Sequence, residues 1–119
     1  MTDSALVDRA RMAHLAWRSR LREAIETGKS PLTVEEARSD RACEFGKWLY
    51  GLPPASRQTE AGMQVQALHA AFHAEAAAVL GLALRGRRPE AEAAMALGSK
   101  FATILSELSR ALEKFKAGA

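Results

Sequence analysis

The sequence contains a single cysteine, Cys43, so no disulfide can form within the chain. An unpaired thiol is typical of proteins that work in a reducing compartment, and we therefore expect a cytoplasmic protein. The N-terminus begins with polar and acidic residues and has no apolar signal core. No uninterrupted apolar run approaches the roughly 20 residues that a membrane span needs. From these absences we expect that the protein is neither secreted nor inserted into a membrane.

Aromatic residues and prolines are also scarce, at 6% of the chain and four residues respectively. Alanine is abundant and is accompanied by leucine, arginine, glutamate and lysine, which are the strongest helix formers. No stretch shows the apolar–polar alternation of a strand. The composition therefore predicts an all-α protein, and 119 residues are close to the commonest domain size. We expect one domain over residues 1–119.

The charge is nearly balanced, with 17 lysines and arginines against 14 acidic residues. The two signs are interleaved along the chain, and the densest basic cluster, RGRRP at 85–89, looks like a turn between helices. A nucleic-acid-binding domain usually gathers its basic residues on one face and adds aromatic residues for stacking. Since neither feature is visible, we expect a solvated helical surface and no nucleic-acid partner.

Apolar residues recur at three- and four-residue steps in four segments, which predicts an antiparallel four-helix bundle with short connections. Gly28 ends the first helix, and the short, irregular second helix begins at Ser39 or Asp40 and contains Cys43. The fourth is expected to be continuous and to bury Gly98. The expected helices cover about residues 4–27, 39–50, 56–84 and 89–116. Between the first two, Thr33 and Glu36 have the spacing of a capping box.

Two of the three histidines, His69 and His73, are four residues apart and therefore project from one face of the third helix. Val65, Phe72 and Leu80 mark that face as core. A buried polar ring without a partner costs about 1–3 kcal/mol, so two inward imidazoles need hydrogen bonds, a charge or a metal. The pair by itself is weak evidence, because histidines at this spacing are common.

The third histidine, His14, lies on the apolar face of the first helix near its middle, and Cys43 lies on a partly apolar side of the second. Helices packed side by side would bring His14, Cys43, His69 and His73 to one depth. Three imidazoles and a thiolate form a tetrahedral ligand set that suits zinc. The alternative is that the histidines are core residues bonded to backbone carbonyls and that the thiol is inert packing. The residues alone leave both interpretations open.

An enzyme is not expected, because four protein ligands leave no open position on the metal for water. The sequence also lacks a nucleophile–base pair and a phosphate-binding loop. A di-iron bundle would need several inward carboxylates, and Glu75, the only candidate near the histidines, falls on another face. A structural helical dimerisation bundle without a functional metal site is the alternative function.

Three motifs, HLAW from His14, CEFGKWLY from Cys43 and HAAFH from His69, occur in that order. This combination resembles the chemoreceptor zinc-binding domain family of bacterial signalling proteins. The resemblance implies a helical bundle that holds zinc through His14, Cys43, His69 and His73. Members occur with cytoplasmic chemoreceptors and diguanylate cyclases, often as dimers, and are linked to sensing zinc and, in some, hypochlorous acid. We therefore expect a homodimeric sensory domain linked to chemotaxis or to cyclic-di-GMP control.

Family members are usually fused to an output domain, and this sequence contains none. The resemblance is therefore compatible with a free-standing member that acts on a partner in trans, which we favour, or with one domain of a larger protein. Around the cysteine, Asp40 is expected to orient a ligand or to cap the helix. Gly46 is expected to allow close backbone approach, and Trp48 to anchor the helix.

Overall fold

The computed structural model describes residues 3–117, which contain helices and no strand. The predicted all-α class is confirmed. The helices, in chain order, are α1 (Ser4–Thr27), α2 (Val34–Arg38), α3 (Glu44–Tyr50), α4 (Pro54–Arg57), α5 (Glu60–Leu84), α6 (Arg88–Met95) and α7 (Lys100–Ala117).

The two longest helices, α1 and α5, have defined ends. The Asp3 carboxylate accepts a hydrogen bond from the backbone N–H of Leu6 at the start of α1, and Thr59 caps α5 in the same way. At the other end of α1, Gly28 adopts a left-handed conformation with φ of 72°, and its N–H donates to the carbonyl of Ala24. The predicted limits of the first helix are therefore confirmed.

Helix α5 is the centre of the fold, because α1, α2, α6 and α7 all pack against it. Its buried side chains include Val65, Phe72 and Leu80, which meet Leu21 of α1 and Leu108 of α7 in one hydrophobic core. By length and hydropathy alone, α5 also passes a test for membrane-spanning helices. Buried core helices of globular proteins pass the same test, so the composition of α5 gives little support to a span.

The predicted second helix over 39–50 is wrong in its start. Residues 39–43 form a turn, and α3 begins at Glu44 with Cys43 as its N-cap. The backbone of Cys43 is extended, with φ of −80° and ψ of 160°, so Cys43 precedes the helix instead of lying inside it. The predicted capping box is present one element earlier, where Thr33 and Glu36 exchange hydrogen bonds at the start of α2.

The predicted fourth helix is interrupted at residues 96–99. Gly98 has a positive φ of 83° and is exposed, and the neighbouring Leu97 is 96% exposed. A new helix starts after Ser99, whose hydroxyl accepts a hydrogen bond from the N–H of Ala102. The third predicted helix is similarly divided into α4 and α5. The arrangement as four continuous helices is therefore not confirmed.

Candidate metal centre

The structure brings together the four residues that the sequence singled out. His14 comes from α1, Cys43 from the N-cap of α3, and His69 and His73 from consecutive turns of α5. One potential ligand atom from each residue lies within 4.8 Å of the other three. The histidines are at most 3% exposed, and Cys43 is half-buried.

The spacing of these atoms fits a tetrahedral zinc site. The Sγ of Cys43 lies 3.3 Å from Nε2 of His69 and 3.7 Å from Nε2 of His73, and the two Nε2 atoms are 3.2 Å apart. Zinc bonds of about 2.0–2.3 Å in a tetrahedron require ligand atoms separated by roughly 3.3–3.6 Å. The three separations agree with that requirement to within a few tenths of an ångström.

Two of the histidines are oriented by backbone carbonyls. The Nδ1 atom of His14 lies 2.7 Å from the carbonyl oxygen of Ala10, and Nδ1 of His73 lies 2.9 Å from that of Ala37. A carbonyl only accepts hydrogen bonds, so each Nδ1 carries the proton and donates it. The lone pair of each Nε2 then faces the site, which is the tautomer that a metal ligand needs.

Two buried ring nitrogens have no hydrogen-bond partner among the described residues, Nε2 of His14 and Nδ1 of His69. An unpaired buried polar atom of this kind costs about 1–3 kcal/mol. A metal ion in the cluster would satisfy Nε2 of His14, which points inward. The set of three imidazoles and a thiol also has the borderline softness that zinc prefers. The residues present therefore fit zinc.

Burial controls the protonation of the site. It lowers the pKa of His14 to about 4 and is the main cause of the lowered pKa of His73. Burial, together with the charges that His14 and His73 would carry, lowers the pKa of His69 to about 2. All three rings are therefore neutral near pH 7, as ligands must be. Burial also raises the pKa of the Cys43 thiol, although the N–H of Gly46 opposes this effect, so the thiolate needs a nearby cation.

Aromatic side chains surround the histidines. The ring of Phe72 lies 5.1 Å from that of His14 and the ring of Phe45 lies 5.1 Å from that of His69, both edge to face. Trp17 lies against His73 on another side, with 6.1 Å between the ring centroids. This apolar surrounding excludes water from the imidazoles and is one reason for their lowered pKa values.

The turn before Cys43 is held close to α3, as the sequence predicted for Gly46. A Cβ atom at Gly46 would overlap the carbonyl oxygen of Asp40, so this position requires glycine. Asp40 itself is not the cap of α3, and its carboxylate accepts a hydrogen bond from the Tyr50 hydroxyl at 2.6 Å. Burial and this hydrogen bond raise the pKa of Tyr50 to about 12. Asp40 thus fastens the turn to α3 and makes no hydrogen bond to a described histidine.

Backbone carbonyls were foreseen as partners of the histidines, but Ala10 and Ala37 could not be identified as those partners, because a carbonyl carries no side-chain signal. Glu75 was correctly placed away from the site, since that carboxylate is partly exposed and lies 3.8 Å from the ammonium of Lys100. A di-iron centre therefore lacks its carboxylates in the described part of the chain.

A family model for the chemoreceptor zinc-binding domain matches residues 14–80, which include all four clustered residues. No curated protein and no solved structure gives a match. The matched segment covers more than half of the 119 residues and extends from His14 in α1 to Leu80, about one turn before the end of α5. This match agrees with the chemistry of the cluster, and the chain belongs to the chemoreceptor zinc-binding domain family, a regulatory family whose cofactor is zinc.

Proposed function

We propose that the chain is a cytoplasmic sensory domain in which His14, Cys43, His69 and His73 bind one zinc ion and Cys43 responds to the signal. The observation that carries this proposal is the convergence of three buried, neutral imidazoles and one thiol, in which Cys43, His69 and His73 stand at tetrahedral separations and His14 lies within 4.8 Å of them. Four protein ligands form a closed site, which suits sensing or structure better than hydrolysis.

The four ligands come from elements of very different size. Helices α1 and α5, of 24 and 25 residues, supply the histidines, whereas the cysteine precedes the seven-residue α3. The sulfur also accepts a hydrogen bond from the N–H of Gly46 at 3.3 Å and thereby caps α3. A chemical change at this sulfur therefore acts on a metal ligand and on the start of a helix at once.

Oxidation is one signal that fits this arrangement. Bound zinc would hold the Cys43 sulfur as the thiolate, the nucleophilic form. With hypochlorous acid, the thiolate sulfur takes the chlorine and releases hydroxide, and water then displaces chloride and a proton to leave a sulfenic acid. The sulfur is oxidised by two electrons and the chlorine is reduced to chloride. The neutral sulfenic acid is a weaker ligand, so α3 is released while the histidines stay in place.

A fall in free zinc is the second signal, because it would empty the site directly. In either case the output depends on a partner. In line with the family, we propose a homodimer that acts on a chemoreceptor or a diguanylate cyclase, and so on chemotaxis or cyclic-di-GMP control.

The first test is the zinc content per chain, measured by elemental mass spectrometry on protein purified without chelator or metal-affinity resin. About one zinc per wild-type chain is expected, with strong loss in Cys43→Ala and in His73→Ala. A matched pair compares neighbouring positions. His14→Ala should lose zinc, whereas Ala13→Ser, the control, should keep the zinc content of the wild type. If wild-type protein holds no stoichiometric zinc even after zinc is added back, the four residues are core packing and the proposal is wrong.

The second test is treatment of the zinc-loaded protein with one equivalent of hypochlorous acid, followed by mass spectrometry and a colorimetric zinc assay. We expect oxidation at Cys43 together with release of zinc or weaker retention, both reversed by a thiol reductant. Oxidation of the exposed Met12 and Met63 before Cys43 would contradict a sensing role for the cysteine.

A further inference from the structure

A cleft of about 430 Å³ opens at the surface beside the metal centre and is lined at its inner end by His14, Cys43 and His73. One wall is α1, and the other is the segment between Leu32 and Glu44. The cleft therefore connects solvent to the side of the cluster on which the cysteine lies.

Cys43 is the most exposed residue of the cluster. His14, His69 and His73 are 3%, 0% and 2% exposed, whereas Cys43 is half-buried. Among the cluster residues that line the cleft, Cys43 is therefore the one with the most surface open to a reagent from solvent. This difference matches the division of roles in the proposed function, in which only Cys43 reacts.

The mouth of the cleft has a small residue on each wall. Ala13 of α1 and Ala42 of the turn both line it and are exposed. A larger side chain at either position would extend into the opening without displacing core residues. At these two positions the cleft is bordered by no more than a methyl group.

The charges at the mouth are mixed in sign. Arg20 and Glu36 line it and are exposed, and Glu44 is engaged by Arg9 through two hydrogen bonds of 3.2 Å. The guanidinium of Arg20 lies 5.5 Å from the centre of the Trp17 ring. A mouth with both signs offers no net attraction to an anion, and its inner surface is aromatic and apolar. Such an opening suits small uncharged molecules.

We propose that this cleft is a size-selective entrance to the Cys43 thiol for small uncharged reagents, and that Ala13 and Ala42 set its limit. Where it concerns the zinc-bound thiolate, the inference rests on the proposed function. The entrance itself exists in the metal-free chain and can be tested there.

The test is the rate of alkylation of Cys43, followed by mass shift, which is unambiguous because the chain has one cysteine. Iodoacetamide serves as the small uncharged probe and N-(1-pyrenyl)maleimide as a bulky one. The rate of each reagent with Cys43 is divided by its rate with free glutathione, which corrects for intrinsic reactivity. We expect Ala13→Leu and Ala42→Leu to slow iodoacetamide by at least about tenfold, because reaction depends on access to the sulfur. The bulky probe should already be slow in the wild type.

Three controls separate access from other effects. Ala78→Leu introduces the same side chain at an exposed position of α5 that does not line the cleft, and should change the rate less than about twofold. Ala13→Ser and Ala42→Ser keep a small side chain at the opening and should react like the wild type. The midpoint of the pH–rate profile should be the same in the leucine variants, which excludes a changed thiol acidity.

Zinc-loaded protein gives a second measurement, the rate at which a chelator removes zinc. If wild type binds zinc, the leucine variants should keep its stoichiometry and release it more slowly. Equal alkylation rates in all variants would contradict the proposal that reagents reach Cys43 through the cleft, because the thiol would then be reached by opening of α3. Failure to find zinc would instead refute the proposed function and leave the alkylation result as the measure of the entrance.

Discussion

The two parts of the molecule that form the candidate metal centre differ in how they are stabilised. The histidines lie on α1 and α5, whose buried faces share the main core. The cysteine lies in residues 28–59, where the helices are five, seven and four residues long. Helices this short are not stable alone in water. The three histidines are therefore placed by long helices with large buried faces, whereas the cysteine is placed by short helices and the turn between them.

The contacts that hold these short helices in place can be identified individually. Ala37, Phe45 and Leu49 are buried in the core. The carbonyl of Ala37 accepts a hydrogen bond from His73, so α2 is attached directly to a ring of the candidate metal centre. Zinc would therefore join a framework of long helices to a segment of short ones, and a ligand on the short segment is the one whose loss changes the structure.

The largest expected effect is that of His73→Ala, because this ring is a proposed ligand and also holds α2. We expect zinc affinity to fall by well over 100-fold, since loss of an outer hydrogen bond to a ligand alone costs about 10–100-fold. His69→Ala is the matched variant, because it removes a ligand without a carbonyl partner. In metal-free protein, hydrogen exchange in residues 33–38 should increase in His73→Ala and stay unchanged in His69→Ala. Equal exchange in the two variants would show that Ala37 is not an anchor.

Cys43→Ala should have the next largest effect, and it should be local. Zinc affinity is expected to fall by about 100-fold or more, with three histidines still able to hold the ion weakly. Cys43→Ser loses the soft ligand but keeps a side chain that can cap α3, so the difference between the two variants isolates the cap, worth about 1 kcal/mol. Exchange should rise in residues 39–50 and not in α1 or α5. A global loss of stability would contradict the division into two parts.

The same division explains how much the sequence could predict. The histidine helices follow from apolar periodicity and, for α1, from the end signal of Gly28, which acts locally. The position of Cys43 outside the helix could not be read in this way, because the turn at 39–43 depends on contacts with Gly46, Tyr50 and the core. The break at Gly98 was missed for a related reason, since glycine in an alanine-rich stretch fits a helix pattern until the chain has to turn.

In metal-free protein, acid should act through the buried histidines, because burial raises the pKa of the Cys43 thiol and keeps it protonated at neutral and acidic pH. The pKa of His14 is about 4 in the folded chain, and that of His69 is about 2, both below the unfolded value of 6.5. Below pH 6.5 the unfolded state therefore binds more protons than the folded state, and the free energy of unfolding falls as the pH falls toward 4. Denaturant melts of metal-free protein from pH 7.5 to pH 4.5 measure this slope. His14→Gln should flatten it, and a flat wild-type profile would show that the rings are not buried.

Gly46→Ala should destabilise the turn, because its Cβ would overlap the carbonyl oxygen of Asp40. Overpacking of this kind costs about 1–3 kcal/mol and should weaken zinc binding by displacing Cys43. Gly81→Ala is the matched control, since the nearest atoms to a Cβ there are 3.9 Å away and alanine is the better helix former. Thermal melts should move in opposite directions for the two variants. An unchanged melting temperature in Gly46→Ala would mean that the turn is not held tightly against α3.

The smallest expected effect is that of Arg9→Ala, which removes an ion pair between the two parts. The guanidinium of Arg9 and the carboxylate of Glu44 are 3.2 Å apart, but their side chains are 56% and 62% exposed. Water and salt screen such a pair, so zinc affinity at physiological salt should change less than about twofold. The difference from wild type should shrink further as salt is raised, and Glu44→Gln should behave in the same way. A large effect in both variants that does not change with salt would mean that this contact holds α3 against α1, and that the cysteine side is more firmly attached than its short helices indicate.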